Sequence, residues 1–148
     1  MNQFIHPDFK LNGKSFSYIE LLSEALYLKE NGQLFEKNIG KFLLEWLNNE
    51  SFVLVQTSGS TGKPKKIVLQ KSAMIASAKA TGTFFNLQPK ASALLCLSAD
   101  YIAGKMMLVR AITLGLQLDT AEPNSNPLGN KKYDFVVMVP MHVANFFN

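Results

Sequence analysis

The sequence predicts an α/β fold, a layered sandwich whose mainly parallel sheet is flanked by helices. Two observations carry this. Short apolar runs rich in β-branched residues recur along the 148 residues, and segments with apolar positions at helical spacing separate most of them. Strands that alternate with helices pair in parallel and are covered on both faces. A hydrophobic fraction of 47% supplies the core that such a body needs at this length.

The elements follow in chain order. Ser17-Tyr18-Ile19-Glu20 is a capping box, with Phe16 and Leu21 placed as its hydrophobic staple, so a helix starts there and runs to about Glu30. Asn31-Gly32 ends it. Ile39, Phe42, Leu43, Trp46 and Leu47 recur at helical spacing and define the buried face of a second helix, on which Trp46 is a packing residue. Phe52-Val53-Leu54-Val55 and Ile67-Val68-Leu69 read as buried or half-buried strands. Ser72 is placed to cap a helix through about Phe85, with Met74, Ala78 and Phe85 on its buried side. Ala93 to Leu97 reads as a central strand, Gly104 to Thr113 as a helix, Leu116 to Asp119 as a strand and Phe135 to Val139 as another. The stretch Glu122 to Asn130 is a polar, turn-rich connection. No repeat or low-complexity tract interrupts the pattern.

The most informative segment is Thr57-Ser58-Gly59-Ser60-Thr61-Gly62-Lys63-Pro64-Lys65-Lys66, between two predicted strands. Gly59 and Gly62 allow backbone N–H groups to converge on an anion. Thr57, Ser58, Ser60 and Thr61 add hydroxyl donors, and Lys63, Lys65 and Lys66 add charge. Each hydrogen bond to a charged oxygen contributes about 1.5–3 kcal/mol, so four or five together hold a triphosphate where one does not. The alternative is a solvated, flexible Gly/Ser/Lys hairpin. A Walker-type loop fits poorly in spacing and context: two residues separate the glycines, Pro64 stands in place of the magnesium-binding hydroxyl, and a strand is predicted to follow rather than a helix.

The stretch Val55-Gln56-Thr57-Ser58-Gly59-Ser60-Thr61-Gly62-Lys63-Pro64-Lys65 resembles the phosphate loop of the adenylate-forming acyl-CoA synthetases and ligases. Weaker similarity runs through Leu97 to Gly104, Arg110, Leu114-Gly115 and Val137 to Val143. Within the family the early loop is most like that of the o-succinylbenzoate-CoA ligases of menaquinone biosynthesis. Departures occur at Lys66, where relatives often have glycine, at Gln70-Lys71-Ser72, where a Thr-His pair is common, and at Asp100-Tyr101, which replaces an aromatic-His pair.

The resemblance implies part of the large N-terminal domain of an adenylate-forming enzyme. It implies ATP, Mg²⁺ and coenzyme A as cofactors or substrates of the complete enzyme, and a small carboxylic acid as the group activated. Thr57, Ser58, Gly59, Ser60, Thr61, Gly62, Lys63 and Lys65 are the nucleotide-phosphate residues it implies, with Lys65 as the phosphate-side charge. The family's adenine segment, ribose-binding Asp, hinge and lysine-bearing C-terminal domain have no counterpart, since the sequence stops at Asn145-Phe146-Phe147-Asn148. Residues 1–148 are therefore expected to be a truncated AMP-binding domain that lacks the catalytic residues and is inactive alone. A non-catalytic anion- or partner-binding domain with the same fold is the competing expectation.

Three further residues are candidates on the substrate side. Tyr101 follows a strand and either contacts substrate or belongs to the core with its hydroxyl at the surface. Arg110 either pairs with a substrate carboxylate or forms an ion pair along its helix. His142, after Pro140, is a polar contact or a proton-transfer group. The loop, Asp100-Tyr101 and Pro140-Met141-His142 all follow predicted strands, where ligands of open α/β sheets collect, and so are expected to share one cleft.

Composition excludes several classes. The net charge of +4 is scattered outside the loop, with no aromatic-interleaved basic stripe for nucleic acid. Cys96 is alone in an apolar run and reads as a buried core thiol. No zinc spacing occurs, and no metal ligand is assigned. No signal peptide or long apolar span is present, which predicts a cytoplasmic protein without membrane insertion.

Overall fold

The capping box at Ser17 forms as the sequence predicts and opens α1 (Tyr18–Asn31) in the computed structural model, which describes residues 4–57, 63, 65–124 and 131–138. Glu20 N–H donates to Ser17 Oγ at 3.2 Å, and Glu20 Oε1 accepts from Ser17 N–H at 2.8 Å. The Ser17 N–H bond to the carboxylate, and then the Ser17 hydroxyl beside it, favour the ionised Glu20 and hold its pKa below the ordinary value. Gly32 closes the helix, donating its N–H to the Leu28 carbonyl. The chain then turns back at once into α2 (Leu34–Leu47).

The predicted face of α2 is buried at all five positions, Ile39, Phe42, Leu43, Trp46 and Leu47. Gly40 lets α2 approach α1 closely, because a Cβ there would stand 2.5 Å from the Ala25 carbonyl oxygen and 2.7 Å from Lys29 N.

β1 (Lys10–Leu11), β4 (Ser92–Leu95), β5 (Gln117–Thr120) and β6 (Phe135–Val136) form one parallel sheet in the order β1-β5-β4-β6. β4 is central, as its apolar run predicts, with Ala93, Leu94 and Leu95 buried. α4 (Ile102–Leu114) packs on β4 and β5 and against α3 (Lys71–Phe84). Its residues Gly104 to Val109, Ala111 and Ile112 are buried, so it has little solvent face and behaves as the inner helix of the layer.

β2 (Phe52–Thr57) and β3 (Lys65–Gln70) stand outside the parallel sheet and pair with each other as an antiparallel ribbon. Three expectations need correction. Alternation buries Val53 and Val55 on β2, but β3 is mostly exposed, with Ile67 42% and Val68 56% accessible. α3 begins at Lys71 rather than behind a Ser72 cap, since the Lys71 N–H is satisfied from outside the helix by the Ser51 carbonyl at 2.9 Å. Phe85, expected inside, stands exposed at the helix end, edge-on to Phe84 at 4.8 Å and tilted against Phe135 at 5.5 Å between ring centroids.

β1 is an element that the sequence pattern does not announce. The strand predicted from Phe135 forms over Phe135–Val136 and does not continue through Val137 and Met138, while Val139 lies outside the described residues. No helix among the described residues is long and apolar enough to cross a membrane.

Candidate functional site

The ribbon register runs from Phe52↔Gln70 to Thr57↔Lys65, so the glycine-rich segment closes a hairpin whose last pair is Thr57 with Lys65. The sequence therefore puts the loop at the tip of a paired stem. Ser58, Gly59, Ser60, Thr61, Gly62 and Pro64 lie outside the described residues, as does His142. Lys63, Lys65 and Lys66 are exposed.

The other edge of β2 is occupied by two different elements. Leu54 N–H donates to Glu45 Oε2 at 3.1 Å, which ties the stem to the end of α2. Gln56 forms an isolated parallel bridge with Tyr101, and its Nε2 donates to Asp100 Oδ2 at 3.4 Å. The stem thus meets the turn that follows β4 one residue before the loop segment leaves the ribbon.

That turn is closely specified. Asp100 N–H donates to Ser98 Oγ at 3.1 Å, and Tyr101 N–H to the Ser98 carbonyl at 3.3 Å. Gly104 in the first turn of α4 packs directly on it: a Cβ there would stand 2.1 Å from the Ser98 oxygen. Lys105, buried, donates its Nζ to the Ala99 carbonyl at 3.0 Å and lies 5.1 Å from the Phe42 ring centroid. Burial pushes its pKa down, while Glu45 and Asp100 pull it up. Tyr101 itself is exposed at the start of α4. A hollow of about 240 Å³ opens beside this turn, between Ser98, the first turns of α2 and Glu122-Pro123 after β5. It lies beyond the carboxyl ends of β4 and β5, where such sheets bind ligands.

The remaining candidates separate. Arg110 sits nine residues beyond Tyr101 on α4, a rise of about 13 Å, so the two do not meet at one end of the helix. Its guanidinium carbon is 5.9 Å from the Phe135 ring centroid, Nη1 is 3.6 Å from Met107 Sδ, and Nε is buried without a partner among the described residues. Burial lowers its pKa. The helix ion pair considered for Arg110 does not form there: the ion pairs found among the described residues are His6 with Asp8 and Lys131 with Asp119. Cys96 is a buried thiol whose pKa burial raises, with Sγ 3.6 Å from the Val137 carbonyl oxygen, in keeping with a core role.

Two cations were not marked by periodicity. Lys105 carries a signal in hindsight, as a lone charge within the apolar run Ala103 to Val109. Lys71, also buried, donates its Nζ to Asn48 Oδ1 at 2.8 Å and to the Asn48 carbonyl at 3.0 Å. Desolvation lowers its pKa, opposed by Glu45 and Glu50. It pins the start of α3 to the end of α2, beneath the stem.

No family model matches the chain, and no curated protein matches it. Among solved structures, the inhibitor-bound N-terminal domain of FACL13 from Mycobacterium tuberculosis aligns at 20% identity over 49% of this chain and 18% of that one, with a TM-score of 0.44. That likeness is too slight to build on. The crystal structure of an acyl-CoA synthetase (AMP-forming)/AMP-acid ligase II-like protein from Dyadobacter fermentans DSM 18053 aligns over 84% of this chain at 37% identity, with a TM-score of 0.74. The chain spans 37% of the length of that protein. In sequence and in fold it is thus similar to one part of an AMP-forming acyl-CoA synthetase/AMP-acid ligase II-like protein.

Proposed function

We propose that residues 1–148 are the N-terminal part of the AMP-binding domain of an ATP-dependent acid–CoA ligase, acting on o-succinylbenzoate in menaquinone biosynthesis. In the complete enzyme a carboxylate oxygen of the acid attacks the α-phosphate of ATP, the bond to the β-phosphate breaks, and pyrophosphate leaves. The acyl group then passes from AMP to the thiol of coenzyme A.

The observation that carries this reading is the bridge between Gln56 and Tyr101. It sets the stem of the glycine-rich loop beside the turn at the carboxyl end of the central strand. A polyphosphate held by Ser58 to Lys65 is then next to a carboxylate lodged near Tyr101. The loop's part is to position the β- and γ-phosphates and to stabilise the charge that develops on the leaving pyrophosphate; it forms no covalent bond. Lys65, which opens β3 directly opposite Thr57, is the phosphate-side charge. His142 joins the substrate side on the family resemblance alone. Arg110 is read as packing around Phe135 rather than as a carboxylate partner.

Mg²⁺ is expected to accompany ATP and to share the charge of its phosphates; among the described residues no group of His, Cys, Asp or Glu is assigned to it. Calorimetric titration of ATP, AMP and coenzyme A into the complete chain tests the reading. ATP binding and carboxylate-dependent ATP–pyrophosphate exchange by that chain are expected, with no exchange by residues 1–148 alone. Failure of the complete chain to bind ATP would assign the loop to another anion or to a partner protein.

A further inference from the structure

Lys105 is 7% exposed, and the polar group that its ammonium reaches is the Ala99 carbonyl at 3.0 Å. A buried ammonium is costly, and a well-packed apolar side chain of similar length often serves stability at least as well. What the charge adds here is a fixed point in the turn after β4. Lys105 holds that turn at two places, since its backbone N–H donates to the Tyr101 carbonyl at 3.0 Å while Nζ holds Ala99. The span from Ala99 to Tyr101 includes Asp100 and Tyr101, the two residues that Gln56 meets from the ribbon. Thr57, the next residue, is the last one paired before the loop segment.

We propose that Lys105 is a positioning residue for the phosphate loop: by pinning the Ala99–Tyr101 turn, it fixes the place of the hairpin stem at Gln56 and so the alignment of the loop with the carboxylate side. This rests on reading the loop as a polyphosphate grip. Lys105 touches neither phosphate nor acid; it acts through Ala99, Asp100 and Gln56. The Phe42 ring lies 5.1 Å from Nζ, and the carboxylates of Glu45 and Asp100 oppose the downward pull of burial on its pKa.

The test compares K105M, which keeps length and removes the donor, with K105R, which keeps donor and charge. Two measurements are made on each: hydrogen exchange at the Tyr101 amide, and calorimetric binding of magnesium pyrophosphate. K105M is expected to speed exchange at Tyr101 by about tenfold or more and to weaken pyrophosphate binding by about fivefold, without lowering the thermal midpoint. K105R should stay within about twofold of wild type in both. Wild-type protection and affinity in K105M would overturn the proposal, as would an affinity loss that merely follows a lowered midpoint. Should K105M fail to fold, Lys105→Gln, too short to span the same gap, takes its place with the same readouts. A wild-type chain that binds no pyrophosphate refutes the loop reading instead, and Tyr101 protection then decides by itself whether Lys105 holds the turn.

Discussion

Gln56 on β2 and Tyr101 at the start of α4 are joined as a parallel bridge, although Gln56 and its side-chain acceptor Asp100 stand 44 positions apart in sequence. The bridge is what ties the antiparallel ribbon to the carboxyl edge of the parallel sheet. Without it the loop-bearing hairpin would lean on the body mainly through Val53, Val55 and the Glu45 contact. The bridge stands one residue before Thr57, which closes the stem against Lys65.

The loop is the first place to probe. Gly59→Val adds a β-branched side chain where the sequence calls for close backbone approach, and Lys65→Ala removes a charge beside it. Each variant is expected to weaken Mg-ATP binding by the complete chain by about tenfold, equivalent to one charge-assisted bond. Lys65 lies on an exposed strand, so the urea midpoint should change little. Calorimetry beside urea unfolding reads both quantities. Unchanged affinity in both variants would show that the segment does not grip phosphate.

Gly104→Ala tests the turn from the other side. The added methyl would meet the Ser98 carbonyl, part of the backbone, at 2.1 Å, a contact that no rotamer change relieves. Turn and helix must separate, at about 1–3 kcal/mol. Chemical denaturation should register that loss, and exchange at the Tyr101 amide should rise with it. A variant as stable as wild type would show that α4 shifts freely on the turn.

How far the sequence revealed these features depends on the range over which each is encoded. The capping box of Ser17 and Glu20 and the α2 stripe from Ile39 to Leu47 are local patterns, and both form as read. β4 was legible because a buried central strand is apolar on both faces. The partner of β2 was not, since the pattern of Phe52 to Val55 says that one face is buried but not which strand lies alongside. β1 is two residues long, below any periodicity. The start of α3 depended on Ser51, and the importance of Lys105 on Ala99; neither contact leaves a trace in spacing. Of the site, residue types in the loop were plain, whereas the bridge that places the loop is tertiary. Arg110 and Tyr101 were both substrate-side candidates, yet lie at different heights along one helix.

Gly40→Val addresses the α1–α2 pair. A Cβ at this position would stand 2.5 and 2.7 Å from backbone atoms of Ala25 and Lys29, so the helices must move apart rather than repack. A loss of about 1–3 kcal/mol is expected, with a smaller loss for Gly40→Ala, where better helix propensity offsets part of the strain. Thermal unfolding of both variants checks the order. A valine variant at least as stable as wild type would contradict the close approach.

Tyr133 provides a pH-dependent marker for the segment that leads into β6. Its hydroxyl is partly withdrawn from water and donates to Asp119 Oδ2 at 2.9 Å, an oxygen that also accepts from Lys131 Nζ at 2.6 Å. Desolvation first, then the bond to Asp119 and its charge, push the phenol pKa up to about 12. The folded value lies above the unfolded one, near 10, so the native state favours the protonated phenol. Its contribution to stability is fully present below about pH 10 and is lost as pH rises through about 12. Absorbance titration should show one of the four tyrosines ionising late, and Tyr133→Phe should remove that step. Across the same window the stability difference between wild type and Tyr133→Phe should shrink toward zero. A difference that stays constant from pH 9 to 12 would mean that Asp119 does not hold the proton on Tyr133.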